Sequence, residues 1–367
     1  MLLHEDEERL AIVTGHEAVT YWEFDAAVAG FAAYLHEMGV AKGDRVALWG
    51  YNSVNWLVAF FGIVRAGGVA ALVNYSLSVD ETATLLRDVQ ARFVVFGDNG
   101  QTKSRDDVVE ALSYAAGIDR ENFVDVRASV CDLVETCVHL EGLPEQRMPN
   151  EDADTAFIIF TSGTTSRPKA VCISQQALSM DVHALMAGLE GTMGAAVCVG
   201  VPTFHILGLL VSFVYLSYGS TVCLPANYQA ETLAEMISEY EVSDMVAVGA
   251  VYQRLSEAKD FGTQVVPHVQ LSLIAGGMST PVQMMRLELA FAHATFINMY
   301  GLSEGAPLTM VRPSDLVERR AQTVGRAVEG VELRIMGEDG STRASGEVGG
   351  GARTWRVSHE RLRGPAS

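Results

Sequence analysis

Between residues 20 and 96 the chain alternates helix and strand signals so closely that few architectures can hold it. Thr20 and Glu23 stand at capping-box spacing before apolar Phe24, Val28, Phe31 and Leu35, and Gly39 supplies a stop. RVALWG from residue 45 reads as a strand, Ser53 opens a helix running through FFGIVRAGG, and VAALVN is the next strand. Ser78 and Glu81 repeat the capping box, and RFVVFGD is a further strand. Strands separated by whole helices cannot be hairpins, so they are expected to run parallel, with right-handed crossovers placing helices on both faces.

The alternation lapses over residues 101–150, which end in the polar LPEQRMPNEDAD, and a subdomain boundary is expected there. It resumes afterwards. Ser174 is placed to cap a helix through QALSMDVHALMAGLE, and then come strand AAVCVGVP, a long apolar helix after His205, strand STVCLP, a helix from Glu231 to Tyr240, and strands SDMVAVG and LSLIAGG. No internal repeat stands out in the letters. With 367 residues the chain exceeds the roughly 100–200 of one ordinary domain, so two or three units sharing large cores are expected.

Composition narrows the function classes. No apolar run approaches the roughly 18 residues of a spanning helix, so no transmembrane segment is expected. The acidic start MLLHEDEERLA lacks the basic and apolar regions of a signal peptide, which makes the cytoplasm the default. A formal charge of −19 disfavours nucleic acid as a partner and requires any phosphate site to be built locally. The five cysteines, at 131, 137, 172, 198 and 223, form no CxxC pair, so buried free thiols are expected rather than zinc or disulfides.

One stretch looks built for an anion. In FIIFTSGTTSRPKAVCIS, residues 157–174, two apolar strand-like runs flank Thr161, Ser162, Gly163, Thr164, Thr165 and Lys169. It is not a Walker loop, because Pro168 precedes the lysine, no hydroxyl residue follows it, and a strand rather than a helix comes next. Hydroxyls, a glycine that admits close backbone approach and a point charge suit phosphate oxygens. Taken alone, the loop fits a polar β-turn with a surface lysine equally well.

TSGTTSRPKAV resembles the signature loop of the adenylate-forming superfamily, the acyl-CoA synthetases, adenylation domains and luciferases, commonly TSGTTGxPKGV. Four further stretches fall in that family's order: RAGGVAALVNYSLSVDE, VPTFHILGL at 201–209, NMYGLSEG at 298–305 and TVGRAVEGVELRI at 323–335. The resemblance spans about residues 18–348. It implies an α/β fold of two packed subdomains with mostly parallel sheets plus the start of a smaller β-rich one: residues 1–150, then 151–310 with the phosphate loop and adenylate site, then 311–348. Residues 349–367, with four arginines, one glutamate and no apolar period, read as a tail.

Members of this family join a carboxylate to ATP, releasing pyrophosphate, and most pass the acyl group to a thiol such as coenzyme A or a carrier protein. An ionised carboxylate is already a nucleophile, so the first step needs alignment on the α-phosphorus and neutralised charge on the leaving group rather than a strong base. By resemblance, Thr161, Ser162, Gly163, Thr164, Thr165 and Lys169 hold the β and γ phosphates of ATP. Tyr300 lies against the adenine, Asn298 bonds its edge, Gly301 lies in the same motif, Ser303 reaches the α-phosphate and Glu304 ligates Mg2+. Gly276, Gly277 and Met278 form a turn beside adenine and acyl group, His205 lines the carboxylate site, and VGAVYQRL borders the acyl pocket. Without the motif, Tyr300 reads as a core aromatic, Glu304 as a surface charge, and His205 as a structural residue.

Two residues depart from the family pattern, Ser166 and Ala170 standing where glycine is usual. After GEVG the sequence also lacks the family's ribose-binding aspartate motif and the C-terminal domain with its lysine. The arginine-rich end reads as an out-of-frame continuation. An impaired ligase is therefore expected, with a non-catalytic nucleotide or acyl binder as the alternative. The acid, the thiol acceptor and the oligomeric state are not specified.

Overall fold

The computed structural model describes residues 8–97, 104–126, 154–161, 168–344, 346–347 and 350–355. Strands β1 (Leu10–Val13) and β2 (Ala18–Thr20) form an antiparallel pair leading into α1 (Tyr21–Glu37). The capping box is reciprocal: Glu23 N–H donates to the Thr20 hydroxyl at 3.2 Å and Thr20 N–H to the Glu23 carboxylate at 2.7 Å. β3 (Arg45–Trp49), α2 (Val54–Arg65), β4 (Val69–Val73), α3 (Val79–Asp88), β5 (Phe93–Phe96), α4 (Arg105–Ala116) and β6 (Phe123–Asp125) follow the alternation, with Ser53 and Ser78 as caps. All the pairings among these strands are parallel.

β7 (Thr155–Thr161) joins this sheet parallel to β4, and β8 (Lys169–Ser174) closes its edge antiparallel to β7. Among the described residues the sheet has the order β6-β5-β3-β4-β7-β8. After α5 (Gln175–Gly188), capped by Ser174, come β9 (Ala196–Gly200), α6 (Ile206–Tyr218), β10 (Thr221–Cys223), α7 (Ala230–Glu239), β11 (Asp244–Ala247) and α8 (Gly249–Ser256). The short α9 (Phe261–Gln264), β12 (Leu271–Ile274), α10 (Pro281–Ala290), β13 (Thr295–Leu302), β14 (Gly305–Met310), α11 (Val317–Gln322) and β15 (Arg326–Ala327) complete a sheet ordered β15-β14-β13-β12-β11-β9-β10-β1-β2. β16 (Val331–Met336) and β17 (Gly350–Trp355) form a separate antiparallel ribbon.

The sheets do not follow the expected division near residue 150. β7 and β8 belong to the first sheet, while β1, from the start of the chain, pairs with β10 of the second. Sequence position fixes no pairing partner, and an edge strand completes whichever sheet leaves its hydrogen bonds open. A second correction concerns the tail: residues 350–355 pair along β16 from Val331–Trp355 to Met336–Gly350. Ladder hydrogen bonds come from backbone, so the absence of an apolar period did not prevent a strand. The remaining tail residues, 349 and 356–367, lie outside the described residues.

The two sheets share one connection pattern that the letters hide. In the first, β3 leads through α2 to a neighbour, β4, and the chain then returns to β3's other side at β5. In the second, β9 leads through α6 to β10 and the chain returns to β9's other side at β11. Right-handed crossovers make α2 and α6 lie on one face and the later helices on the other. Accordingly α1, α2, α5 and α6 pack with the inner sides of both sheets in one continuous core. α3 and α4 cover the outer face of the first sheet, and α7, α8 and α10 that of the second. The result is five layers, α/β/α/β/α. At its centre the equivalent helices meet, with Phe60 of α2 edge-on to Phe213 of α6 at 5.6 Å. Helices on both faces explain why β4 and β9 are buried at every residue.

Cys198 and Cys223 are buried free thiols on neighbouring strands, as expected, whereas Cys172 is exposed on the edge strand β8. No helix among the described residues is long and apolar enough to cross a membrane.

Candidate active site

In the second sheet β9, β11, β12 and β13 lie side by side and parallel, so the loops leaving their carboxyl ends emerge along one edge. The chain departs from β9 toward β10 and comes back at β11, which opens a crevice between the loops after β9 and β11. The VPTFHILGL stretch begins at this crevice, and NMYGLSEG closes β13 along the same edge of the sheet.

The loop after β9 carries Val201 to His205. His205 is the N-cap residue of α6, yet its imidazole makes no cap hydrogen bond among the described residues. Its ring rests on Phe204 with centroids 4.2 Å apart. The side chain reaches solvent but is crowded on its other sides, and this burial pushes the imidazole pKa below its ordinary value. His205 is therefore neutral at pH 7 and can accept or donate one hydrogen bond without adding charge.

After β12 the backbone turns through Gly276, whose φ of +77° favours glycine. Gly277 and Met278 follow, and Met278 is 94% exposed. A Cβ on Gly276 would approach Val248, the residue that opens α8, to 3.2 Å. Thus VGAVYQRL lies beside the glycine turn, although its own Val251, Tyr252 and Leu255 face the outer core.

β13 and β14 form a tight hairpin in which Leu302 pairs with Gly305, leaving Ser303 and Glu304 as its two tip residues. Glu304 is exposed. Tyr300 pairs with Thr309 across the hairpin and is 41% exposed, so it is not the core aromatic that its composition alone suggests. Gly301 lies close against Ala306, where a Cβ would meet Ala306 Cβ at 3.2 Å. Asn298 spends one amide hydrogen on the Thr323 carbonyl at 2.9 Å, which ties the hairpin to the TVGRA segment. Its remaining amide atoms stay available at the edge of the site.

Thr161 and Lys169 end β7 and begin β8, and they stand directly opposite each other. Cross-strand partners project to the same side, so hydroxyl and ammonium share one face. Ser162, Gly163, Thr164, Thr165 and Ser166 lie outside the described residues. Ala170 sits in the ladder opposite Phe160, an extended position that accepts a side chain.

α5 links this hairpin to the other one. It starts at the end of β8 and runs along β14, with Asp181 interacting with the Ala306 N–H and Gly188 close against Met310 and Arg312. Burial raises the Asp181 carboxyl to about 7, the Ala306 N–H pulling against that rise.

No cluster of three or more His, Cys, Asp or Glu that could hold a metal occurs among the described residues. Mg2+ commonly takes one or two protein carboxylates and completes its shell with water and phosphate oxygens. A single exposed carboxylate at a hairpin tip, Glu304, fits that donor set if a nucleotide supplies the rest.

Sequence reasoning missed a second group. Asn52, in the loop after β3, accepts from Thr203 N–H at 2.8 Å and from the Thr203 hydroxyl at 2.9 Å, and donates to the Val201 carbonyl at 3.0 Å and the Tyr228 hydroxyl at 3.1 Å. Tyr75, after β4, meets Phe204 edge-on at 5.3 Å. Two asparagines, 52 and 55, flank Ser53, and nothing in the letters distinguishes the first as a bridge to residues 150 positions away.

Doubly wound sheets hold phosphorylated ligands at such crevices, and an α/β nucleotide-site protein is what this fold and edge define. The chain belongs to the AMP-binding enzyme family, whose model matches residues 3–350. It is 25% identical over 334 residues to a long-chain-fatty-acid–CoA ligase of Mycobacterium tuberculosis, covering 90% of this chain and 63% of that protein. It is 26% identical to the human mitochondrial medium-chain acyl-CoA ligase, with 92% and 60% covered. The chain thus spans about three fifths of the length of these relatives. ATP-bound MatB from Rhodopseudomonas palustris has the same fold, with a TM-score of 0.81 at 24% identity, covering 95% of this chain and 67% of that one.

Proposed function

We propose that the chain binds ATP and a carboxylic acid and activates the acid as an acyl adenylate, on the way to an acyl-CoA thioester. A carboxylate oxygen attacks the α-phosphorus, the bond to the bridging oxygen breaks, and pyrophosphate leaves. A thiol, of coenzyme A or a carrier protein, then attacks the acyl carbon and AMP departs. The observation that carries the reading is the link between the two hairpins: α5 leaves the β7–β8 hairpin at Ser174, at the other end of β8 from Lys169, and packs along β14, the strand that follows Ser303 and Glu304. One helix so ties the hairpin that bears a phosphate-type cation to the hairpin that bears a metal-type carboxylate.

In this reading Thr161 and Lys169, with Ser162, Gly163, Thr164 and Thr165 between them, hold the β and γ phosphates. Tyr300 offers its exposed ring to the adenine, Asn298 and Gly301 its surroundings, and Gly276, Gly277 and Met278 the turn beside base and acyl group. Ser303 donates to the α-phosphate. Glu304 would hold Mg2+, which supplies charge neutralisation on the phosphates. Neutral His205 lines the carboxylate site, where an added positive charge would tie down the nucleophile. Relatives named for long-chain and medium-chain acids leave the acid itself open.

Calorimetry with ATP and Mg2+, and with a non-hydrolysable acyl-adenylate mimic, tests this. Lys169→Ala and Glu304→Ala should each weaken ATP binding by about tenfold or more, in line with loss of a charge-assisted contact. Binding without pyrophosphate release across a panel of acids would favour the alternative, a nucleotide or acyl binder. A folded chain that binds neither ligand would overturn both readings.

A further inference from the structure

We propose that Asn52 is a positioning residue for the carboxylate site, clasping the loop that presents His205; this rests on the site reading given above. The loop after β9 must leave a buried strand, turn through Pro202, and start α6 within five residues. Only one of its turns is closed locally, by His205 N–H donating to the Pro202 carbonyl at 3.2 Å. Its remaining direction comes from outside the sheet. The Asn52 amide reaches Val201 with its nitrogen and Thr203 with its oxygen, so it grips the loop at two points on either side of Pro202.

An asparagine amide has two donor hydrogens and an oxygen that accepts twice, and the four bonds to Val201, Thr203 and Tyr228 use this capacity fully. Aspartate could keep the Thr203 bonds but could not donate to Val201. Glutamine would carry the amide one methylene too far. Thr203 is 1% exposed, so its polar groups depend on this partner rather than on water. Phe204 is held next, by the edge of Tyr75, which in turn packs on Tyr51 at 4.4 Å. With residues 203 and 204 fixed from the first sheet, the direction of His205 follows.

The repeated topology gives this clasp a logic. β3 and β4 occupy in the first sheet the places of β9 and β10 in the second. Asn52, after β3, bonds Tyr228, after β10; Tyr75, after β4, packs on Phe204, after β9. The contacts are thus exchanged reciprocally between equivalent loops, and the two loops at the switch points, after β3 and after β9, bond each other directly. Only one of the pair carries a histidine. The first sheet therefore sets the geometry of a site that the second sheet bears.

The test compares Asn52→Ala and Asn52→Asp with Tyr215→Phe, which removes a buried hydrogen bond from the opposite end of α6. For each, thermal stability, affinity for the acyl-adenylate mimic and the His205 titration by NMR are measured. Asn52→Ala should weaken mimic binding by between about tenfold and a hundredfold. It should also move the His205 midpoint up toward its ordinary value as the loop opens to water. Asn52→Asp should do the same to a smaller degree, and Tyr215→Phe should lose stability without either change. If the asparagine variants only lower the melting temperature, with the His205 midpoint and mimic affinity unmoved, Asn52 is a structural bridge and the proposal fails. Should the unmodified chain bind no mimic, the site reading fails by itself, and the histidine titration still decides whether Asn52 positions the loop.

Discussion

The Tyr215 hydroxyl donates to Asp244 Oδ2 at 2.6 Å, and Gly194 N–H donates to the same oxygen at 2.7 Å. Asp244 is 1% exposed, and burial pushes its carboxyl up to about 6 while these donors pull it down. Here α6, β11 and the loop before β9 meet at the end of the sheet away from the proposed site. Removing the hydroxyl leaves the carboxylate with one donor fewer in an apolar surround. Tyr215→Phe should therefore cost about 1–3 kcal/mol by urea unfolding at pH 7.5. The cost should shrink at pH 5, where Asp244 is mostly protonated and needs donors less. An equal loss at both pH values would show that the bond does not serve the charged form.

Asp181 gives the protein a stability that falls as pH rises. Its carboxyl titrates at about 7 in the fold, against an ordinary 3.8, so the native chain holds a proton that the unfolded chain has released. The contribution is whole below about pH 4 and is lost progressively up to about pH 7, beyond which the curve is flat for this group. Asp244, with its own midpoint about 6, adds to the same trend over a narrower range. Asp181→Asn, which is neutral throughout, should flatten the pH dependence between 4 and 7 by roughly 2–4 kcal/mol. Urea unfolding at pH 5 and pH 8 measures it; an unchanged slope in the variant would assign the trend elsewhere.

The elements that sequence reading recovers are those whose evidence is local. Capping boxes at Thr20 and Ser78, the Ser53 and Ser174 caps and the apolar strands are written within a few residues of where they act. The family motifs were likewise legible, because each is a short run whose order along the chain can be checked. What escaped is non-local. That β1 borders β10, or that Asn52 bonds Thr203, depends on pairing across 150 or more residues, which no window of sequence displays. The shared winding of the two sheets escaped for a related reason: topology repeats while the side chains that fill it, FFGIV in α2 and LLVSFV in α6, do not.

Arg320 and Glu288 join α11 to α10 through paired bonds of 3.0 and 3.1 Å, with side-chain exposures of 9% and 10%. Arg320 also donates to the Asp315 carbonyl at 2.7 Å. A buried pair of this kind is costly to break from one side, because the remaining charge stays desolvated. Arg320→Met should destabilise by about 3–5 kcal/mol, and Arg320→Met with Glu288→Leu should recover most of that loss. The coupling should change little between low and high salt, since screening acts on exposed charges. A double variant as unstable as the single one would mean that the bond to Asp315, rather than the ion pair, holds the helices.

Gly325 ties stability to the adenine side of the proposed site. Its φ is +78°, and a Cβ there would stand 2.0 Å from the Met310 carbonyl oxygen, so alanine cannot enter without pushing β15 off β14. Gly325 N–H also donates to the Thr323 hydroxyl at 3.1 Å, and the Thr323 carbonyl accepts the Asn298 amide. Displacement at Gly325 therefore propagates to the hairpin that bears Tyr300 and Glu304. Gly325→Ala should lower stability by more than about 2 kcal/mol and weaken ATP binding together. Asn298→Ala should weaken ATP binding with a much smaller loss of stability, because its amide lies at the surface and the Thr323 carbonyl can turn to water. Calorimetry and urea unfolding on both variants separate the two effects. If Gly325→Ala binds ATP as well as the unmodified chain does, the TVGRA segment is scaffold alone and the adenine side of the site is set without it.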